Sequence, residues 1–321
     1  MVEQPPPGDI PDGRTAIAMR HAEDVGAAIA TAVGETRLVL VTGKGGTGKS
    51  SIALVTAQAF AAQGERTLLV EVDAETPTLA PALGVRSASE PVEVPGTEGR
   101  LSVVNFRWPD VLTAWLSRTV PVPGVVQAVL SNDRLRRFLD FTPGARDLVQ
   151  LNAIDEAASR WARVVVDLPA SGHAFSLLDV TRSALGLFRG GPVRRRAEEL
   201  RSRVTAPDTT CLFVAIPEAM VINETLETRD RLHNAGLLGA RPRVVLNRAW
   251  PRVWTPAGAA LLERARLDGE HAPPGVAAWL SEGAWRLDRE RATSEALQRL
   301  TGAFGGVDAV VEHGALGVVR A

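Results

Sequence analysis

What this chain lacks narrows its possible roles before any motif is read. In 321 residues it has no tyrosine, one cysteine and three methionines. Cys211 alone cannot close an intrachain disulfide, and by itself it supplies neither a structural zinc site, nor a four-thiolate cluster, nor a redox pair. No apolar run approaches the roughly 20 residues that a bilayer-spanning helix needs. The segment Met1–Gly13 is acidic and proline-rich, without a basic start followed by an apolar stretch, so a cytoplasmic location is expected rather than secretion. Neither sign of charge is in excess. With 36 basic against 37 acidic residues the net charge is −1, and no global field favours nucleic acid or an anionic membrane. Nucleic-acid binding and direct membrane insertion are therefore not expected.

Lysine is the scarcest cation. Of the 36 basic residues, 34 are arginine and only Lys44 and Lys49 are lysine. A GC-rich coding sequence favours arginine wherever either cation serves, but it does not explain why lysine persists at two positions five residues apart.

With 45% apolar side chains the chain has ample material for a core. Short β-branched apolar runs recur at Arg37–Thr42, Thr67–Val72, Leu101–Asn105, Ala162–Asp167, Thr210–Ile216, Arg241–Asn247 and Val307–Glu312, and each reads as a buried strand. Helical spacing lies between them at Ser50–Ala62, Val111–Leu116, Val125–Leu139, Ala145–Arg160, Val193–Arg203, Ile222–Asn234, Ala257–Leu267 and Leu287–Phe304. Continuous apolar strands alternating with helices predict a doubly wound α/β domain with a mainly parallel sheet covered on both faces. Residues 1–36 form an N-terminal extension with a helix over Arg14–Val33, and residues 37–321 the main domain. The stretch of about 106–155, punctuated by Pro109, Pro121, Pro123 and Pro143, reads as a helical insertion. Ala174–Pro207 is a second candidate, and its run Arg194–Arg196 reads as a solvated helix face.

The first strand leads into Gly43-Lys44-Gly45-Gly46-Thr47-Gly48-Lys49-Ser50 and then the helix Ser51–Phe60. This is G-x-x-x-x-G-K-[ST] in its required strand–loop–helix setting, a phosphate-binding P-loop. Glycines let successive N–H groups turn inward toward phosphate oxygens, and the helix N-terminus adds its positive end. Lys49 would bridge the β- and γ-phosphates of ATP, and the Ser50 hydroxyl would ligate Mg²⁺. Lys44 makes the loop the deviant K-G-G-x-G-K-[ST] form of ATPases that work as nucleotide-sandwich dimers. In that pattern it reaches the partner's nucleotide and neutralises charge in trans. The second strand ends in Glu71-Val72-Asp73-Ala74-Glu75-Thr76, which puts Asp73 at the carboxyl edge of the sheet as a candidate for orienting the attacking water. An N-cap or turn role is the alternative for Asp73, and Glu71 and Glu75 compete for the catalytic one. Asp167 closes an apolar strand as a Mg²⁺-organising carboxylate would, and Leu168–His173 follows as a switch in which Gly172 can bring its N–H close to a γ-phosphate.

Gly43–Ser51 together with Asp167–His173 resembles the ArsA-type ATPases, whose switch motif reads D-T-A-P-T-G-H. That family includes the eukaryotic targeting ATPase for tail-anchored membrane proteins. The resemblance implies that Asp73 matches the acid of D-P-A-H-S, that Pro143-Gly144 matches a P-G ahead of a helix in the insertion, and that Asn247 recognises adenine. It also implies cofactor contacts at Gly43, Gly45, Gly46, Thr47, Gly48, Lys49, Ser50, Ser51 and Gly172, and a homodimer or a heterodimer with a paralogous ATPase. This chain departs from the pattern at Asp73-Ala74-Glu75-Thr76, at Pro169 and at Ser171, where the family has threonine. A lone Cys211 argues against arsenite binding through cysteines, and Met1, Met19 and Met220 are too few for a methionine-rich client groove.

The resulting expectation is a Mg²⁺-dependent P-loop ATPase with Lys44, Asp73 and Lys49 catalytic, Ser50 at the metal and Asp167 there through water, and an unidentified client or partner acting through the insertion. A MinD/ParA-like positioning ATPase and a nucleotide-gated binding module with little hydrolysis are the alternatives. The seven tryptophans, among them Trp108, Trp115, Trp250 and Trp254, read as core or interface packing.

Overall fold

In a β-strand successive side chains point to opposite faces, so a strand apolar at every position must be covered on both. The computed structural model, which describes residues 19–119, 124, 131, 144–239, 241–268 and 273–316, shows this arrangement. Its elements are α1 (Ala22–Val33), β1 (Leu38–Thr42), α2 (Lys49–Ala62), β2 (Thr67–Val72), α3 (Leu79–Ala82), β3 (Val92–Glu93), β4 (Leu101–Phe106), α4 (Trp108–Thr119) and α5 (Ala145–Arg160). The chain continues through β5 (Arg163–Asp167), α6 (Ser171–Leu187), α7 (Gly191–Val204), β6 (Thr209–Ala215), α8 (Ala219–Asn234), β7 (Arg243–Ala249), α9 (Pro256–Asp268), α10 (Pro274–Phe304) and β8 (Ala309–Glu312).

The eight strands lie in the order β3-β4-β2-β5-β1-β6-β7-β8, parallel throughout except that β3 runs antiparallel to β4 at the edge. The doubly wound, mainly parallel α/β class expected from the strand pattern is the one observed. In β1, Leu38 and Leu40 enter one core layer while Val39 and Val41 enter the other. The first layer is closed by α5, α6, α7, α8 and α10, through Ile154, Leu177, Leu200, Ile222 and Leu300. The second is closed by α1, α2 and α3, through Ile29, Phe60 and Leu79. With Val25 and Ile29 fully buried, α1 is part of this covering layer, and Met19 pairs with Val311 beside β8.

Some expectations shift. The N-terminal helix begins at Ala22, where Arg14 had been expected, and residues 14–18 of that expectation lie outside the described ones, as does the helix expected at 125–139 apart from Ser131. Phe106 belongs to β4, so the insertion's first described helix starts at Trp108. Strand β3 is only two residues long, too short to show a period. Helix α6 was not read as a helix, because its buried Asp179 and Thr181 interrupt the apolar stripe. Helix α10 starts at Pro274 instead of Leu287; its Gly283, where an added Cβ would meet Leu262 Cδ1 at 3.0 Å, breaks the apolar spacing upstream. The basic run is tied to α5 rather than merely solvated: Arg196 donates to Asn152, Asp155 and Glu199, and Arg203 also reaches Asp155.

One cation fastens the amino ends of β1 and β5. Arg163 donates to both oxygens of Glu65 at 2.7 and 2.6 Å and to the carbonyls of Gly34 and Thr36 at 2.8 and 2.5 Å, with its guanidinium 4.8 Å from the Phe60 ring centroid. Arg163 is itself nearly buried while Glu65 is about a third exposed, so the cost of removing the guanidinium is that of its charged hydrogen bonds and its packing, partly met by water at Glu65. Arg163→Met should destabilise the fold by about 2 kcal/mol, read as a lower urea midpoint at unchanged m-value.

Candidate functional site

The sheet's order around β1 places the candidate residues together. Strand β1 lies between β5 and β6, while the next strand in sequence, β2, sits beyond β5. The connection from β1 runs toward β2 and that from its neighbour β6 toward β7, in opposite directions, and this divergence opens a crevice at the carboxyl edge, where α/β sheets bind ligands. The P-loop follows β1 into this crevice. Its curl requires glycine at two ends. A Cβ on Gly43 would come within 2.3 Å of the Val214 carbonyl oxygen, and one on Gly48, at φ 90°, within 2.4 Å of Asn247 Nδ2.

Lys49 opens α2, and its Nζ donates to the Lys44 carbonyl at 3.3 Å, so the ammonium folds back over the loop. Burial lowers its pKa from the usual lysine value, opposed by the charges of Asp167 and Glu224. Thr47 is fully buried and closes the loop with its hydroxyl on the Lys44 carbonyl at 2.9 Å. Ser50 donates its hydroxyl to Asp167 Oδ2 at 2.6 Å, joining the P-loop to the end of β5. Asp167 Oδ1 is buried without a partner, and so is the hydroxyl of Thr42 at the end of β1. Burial pushes the Asp167 carboxyl up to about 6, against the Ser50 hydrogen bond and the Lys49 charge, while Glu71 adds to the rise. Glu71 pairs in register with Asp167 across β2 and β5.

This donor set suits the expected group. Among the described residues there is no cluster of three His, Cys, Asp or Glu side chains that could hold a metal. Mg²⁺ in nucleotide sites is characteristically held by one or two protein oxygens plus phosphates, and Ser50 with the orphaned Asp167 oxygen offers such a pair.

The remaining expected residues divide. Ser171 begins α6 and donates its N–H to the Gly43 carbonyl at 3.2 Å, so the segment after β5 lies against the loop, with Gly172 next to it in the helix's first turn. Asp73 is engaged elsewhere. At φ 52° it accepts the Trp108 N–H at 2.9 Å through Oδ1 and pairs with Arg146 through Oδ2, so it caps α4. Glu71 is committed to local structure, its Oε1 accepting from Thr78 N, Thr78 Oγ1 and Leu79 N, and Glu75 is exposed. Asn247 lies beneath the P-loop: Nδ2 donates to the Thr47 carbonyl at 2.8 Å and Oδ1 accepts the Arg248 N–H. Next to it a cavity of about 270 Å³ is lined by Pro217, Arg248, Trp250, Trp285, Arg289 and His313. There Trp250 stacks on His313 with ring centroids 4.5 Å apart and meets Trp285 edge-on at 5.1 Å. Trp108 packs with Val111, Leu116 and Val149 between α4 and α5.

Three charged groups were missed in the sequence. Glu224 of α8 takes the Lys44 ammonium at 3.0 Å and the Ser171 hydroxyl. That hydroxyl holds its carboxyl below the usual glutamate range, with burial opposing and Lys44 and Lys49 assisting. An acid in the second turn of a helix that follows a carboxyl-edge strand was the available signal. Arg146 and Asp147 open α5, and Asp147 faces His173 at 3.4 Å.

A parallel sheet with a glycine-cornered loop, its lysine and a hydroxyl–carboxylate pair at the switch-point crevice defines a P-loop nucleoside triphosphatase. Residues 36–189 match the family described as anion-transporting ATPase, so this segment is similar to the ArsA-type ATPases, which are ATP hydrolases. The chain is 29% identical over 261 residues to ATPase BagA of Mycobacterium tuberculosis, covering 75% of this chain and 73% of that one. It is 35% identical over 170 residues to the uncharacterized protein SCO2128 of Streptomyces coelicolor, covering 51% and 43%. A third relative, protein Rv2184c of Mycobacterium tuberculosis, is 30% identical over 236 residues, with 66% and 53% covered.

The raised carboxyl of Asp167 has a definite sign. An acid whose folded pKa exceeds its unfolded one stabilises the fold fully below the unfolded value, and that contribution is lost as pH rises through the folded value. Without nucleotide, stability should therefore fall between pH 4 and pH 7 by no more than about 3 kcal/mol, the equivalent of roughly two pKa units. Asp167→Asn should flatten this window in urea titrations.

Proposed function

We propose that this chain is a Mg²⁺-dependent ATPase in which ATP draws two subunits together and hydrolysis lets them part, with the cycle coupled to a client or partner through the helices that follow β4. The second subunit is another copy or a paralogue. The observation that carries the reading is the Ser50–Asp167 contact at the mouth of a glycine-cornered loop. It joins a hydroxyl, a carboxylate with an unpartnered buried oxygen, and the Lys49 ammonium in one crevice.

In this reading Gly43, Gly45, Gly46, Thr47 and Gly48 turn backbone N–H groups toward phosphate oxygens, and Ser51 lies with Lys49 and Ser50 in the first turn of α2, where the helix dipole favours anions. Lys49 spans the β- and γ-phosphates, and its lowered pKa reflects an ammonium already stripped of much of its water. Ser50, and Asp167 through water, would hold Mg²⁺, which when bound would neutralise phosphate charge. Gly172 offers an N–H from the start of α6. Asn247 sets the loop's height and, with the cavity beside Trp250, faces the purine base, whose flat ring suits an aromatic wall. Lys44 crosses to the second subunit's nucleotide, leaving Glu224, and Asp73 positions the attacking water once free of its present partners.

A cytoplasmic location belongs to the same reading, and no helix among the described residues is long and apolar enough to cross a membrane. Engagement of Asp73 by Trp108 and Arg146 favours one competing reading, a nucleotide-gated binding module with little turnover.

Two substitutions separate these. Lys49→Ala should abolish binding of a fluorescent ATP analogue, whereas Lys44→Ala should keep that binding and lose hydrolysis by about 10²-fold or more, the scale of removing one transition-state charge. Normal turnover in Lys44→Ala would remove the trans lysine from the mechanism. Negligible turnover in the unsubstituted chain, alone and with a paralogue, would favour the binding module.

A further inference from the structure

Asp73 is held from two directions by two helices of the insertion, α4 and α5. Its Oδ1 accepts the N–H of Trp108, the first residue of α4, and its Oδ2 pairs with Arg146 in the first turn of α5. A helix N-terminus presents unpaired N–H groups and a positive dipole end, so a carboxylate there is stabilised twice over. Side chains in contact between the two helices link the two holds: Trp108, Val111, Leu112 and Leu116 of α4 pack on Val149 of α5, and Arg118 pairs with Glu156. The next residue of α5, Asp147, faces His173 in the first turn of α6, the segment whose Ser171 N–H rests on the Gly43 carbonyl. One turn of α5 thus touches both the acid after β2 and the segment after β5.

We propose that Arg146 is a positioning residue that restrains hydrolysis by holding Asp73 against the amino end of α4. On this account α4 and α5 form a clamp, and displacing either helix frees the carboxylate to turn toward the phosphate loop. Arg146 is half exposed while Asp73 is largely covered, which makes the arginine the movable half of the pair. The inference deepens the reading of the chain as an ATPase with Asp73 as its water-positioning acid, and it rests on that reading. Control of turnover by whatever engages the insertion follows from the clamp itself, without a further contact to the nucleotide.

The test uses the full chain with Arg146→Gln, Arg146→Lys and Arg146→Gln/Asp73→Asn. With Mg²⁺ and ATP, Arg146→Gln should raise kcat about two- to fivefold at unchanged KM, the scale of a half-exposed ion pair. Arg146→Lys should lie between it and the unsubstituted chain, and adding Asp73→Asn should abolish the gain. Hydrogen exchange without nucleotide gives a second readout, in which the amide of Trp108 should exchange faster in Arg146→Gln at an unchanged melting temperature. A kcat that stays level or falls in Arg146→Gln, or a gain that survives Asp73→Asn, would overturn the restraint. Unaltered exchange at Trp108 would overturn the clamp whatever the turnover. Failure of the unsubstituted chain to bind ATP would sink the ATPase reading, and with it the control of hydrolysis, while exchange at Trp108 would still decide whether Arg146 holds Asp73.

Discussion

Two carboxylates stand side by side at the carboxyl edge of this sheet, and the arrangement of the site follows from how they are kept there. Glu71 and Asp167 are register partners on β2 and β5, both turned away from bulk water. Isolated ionised carboxylates in such a place are costly, and neighbouring like charges make them costlier. Glu71 meets the cost locally through one oxygen, Oε1, which accepts three donors from Thr78 and Leu79 that fix the turn into α3, while its Oε2 is buried without a partner. Asp167 has only the Ser50 hydroxyl and the field of Lys49, and one of its oxygens has no partner. An acid so incompletely satisfied is poised to gain from a cation, which ties the stability of this corner to occupancy of the loop.

Much of this was legible because the signals were local. The P-loop announces itself in eight consecutive residues, and strands buried on both faces announce themselves as unbroken apolar runs such as Val164–Val166. Helix α6 was not legible. It begins in what reads as a switch loop, and its buried Asp179 and Thr181 break the apolar stripe by which a helix would be read. The partners of the loop were hidden for another reason. Glu224 reaches Lys44 across 180 positions of sequence, and Arg146 reaches Asp73 across 73. Spacing carries no information about contacts made by topology.

Asp73 and Asn247 show how far residue type alone can go. Each lies at the carboxyl edge, as its position at the end of a strand implied. Yet the aspartate's oxygens are taken up by α4 and α5, and the asparagine's amide holds up the loop from below. The same functional groups serve as struts in this structure. A strut that is also a chemical group gives a protein two uses for one residue, and the choice between them is set by which neighbours move.

The scarcity of lysine has a practical side. Both lysine ammonium groups sit in or over one loop, Lys49 largely stripped of water and Lys44 paired with Glu224. Apart from the chain's own amino terminus, every reagent or enzyme that acts on lysine, whether it acylates, methylates or cleaves beside it, must therefore act at the phosphate loop. An acyl group on Lys49 would remove the cation that the loop is folded around. Chemistry that decorates the surface of most proteins at random would, on this one, strike the nucleotide-binding loop directly.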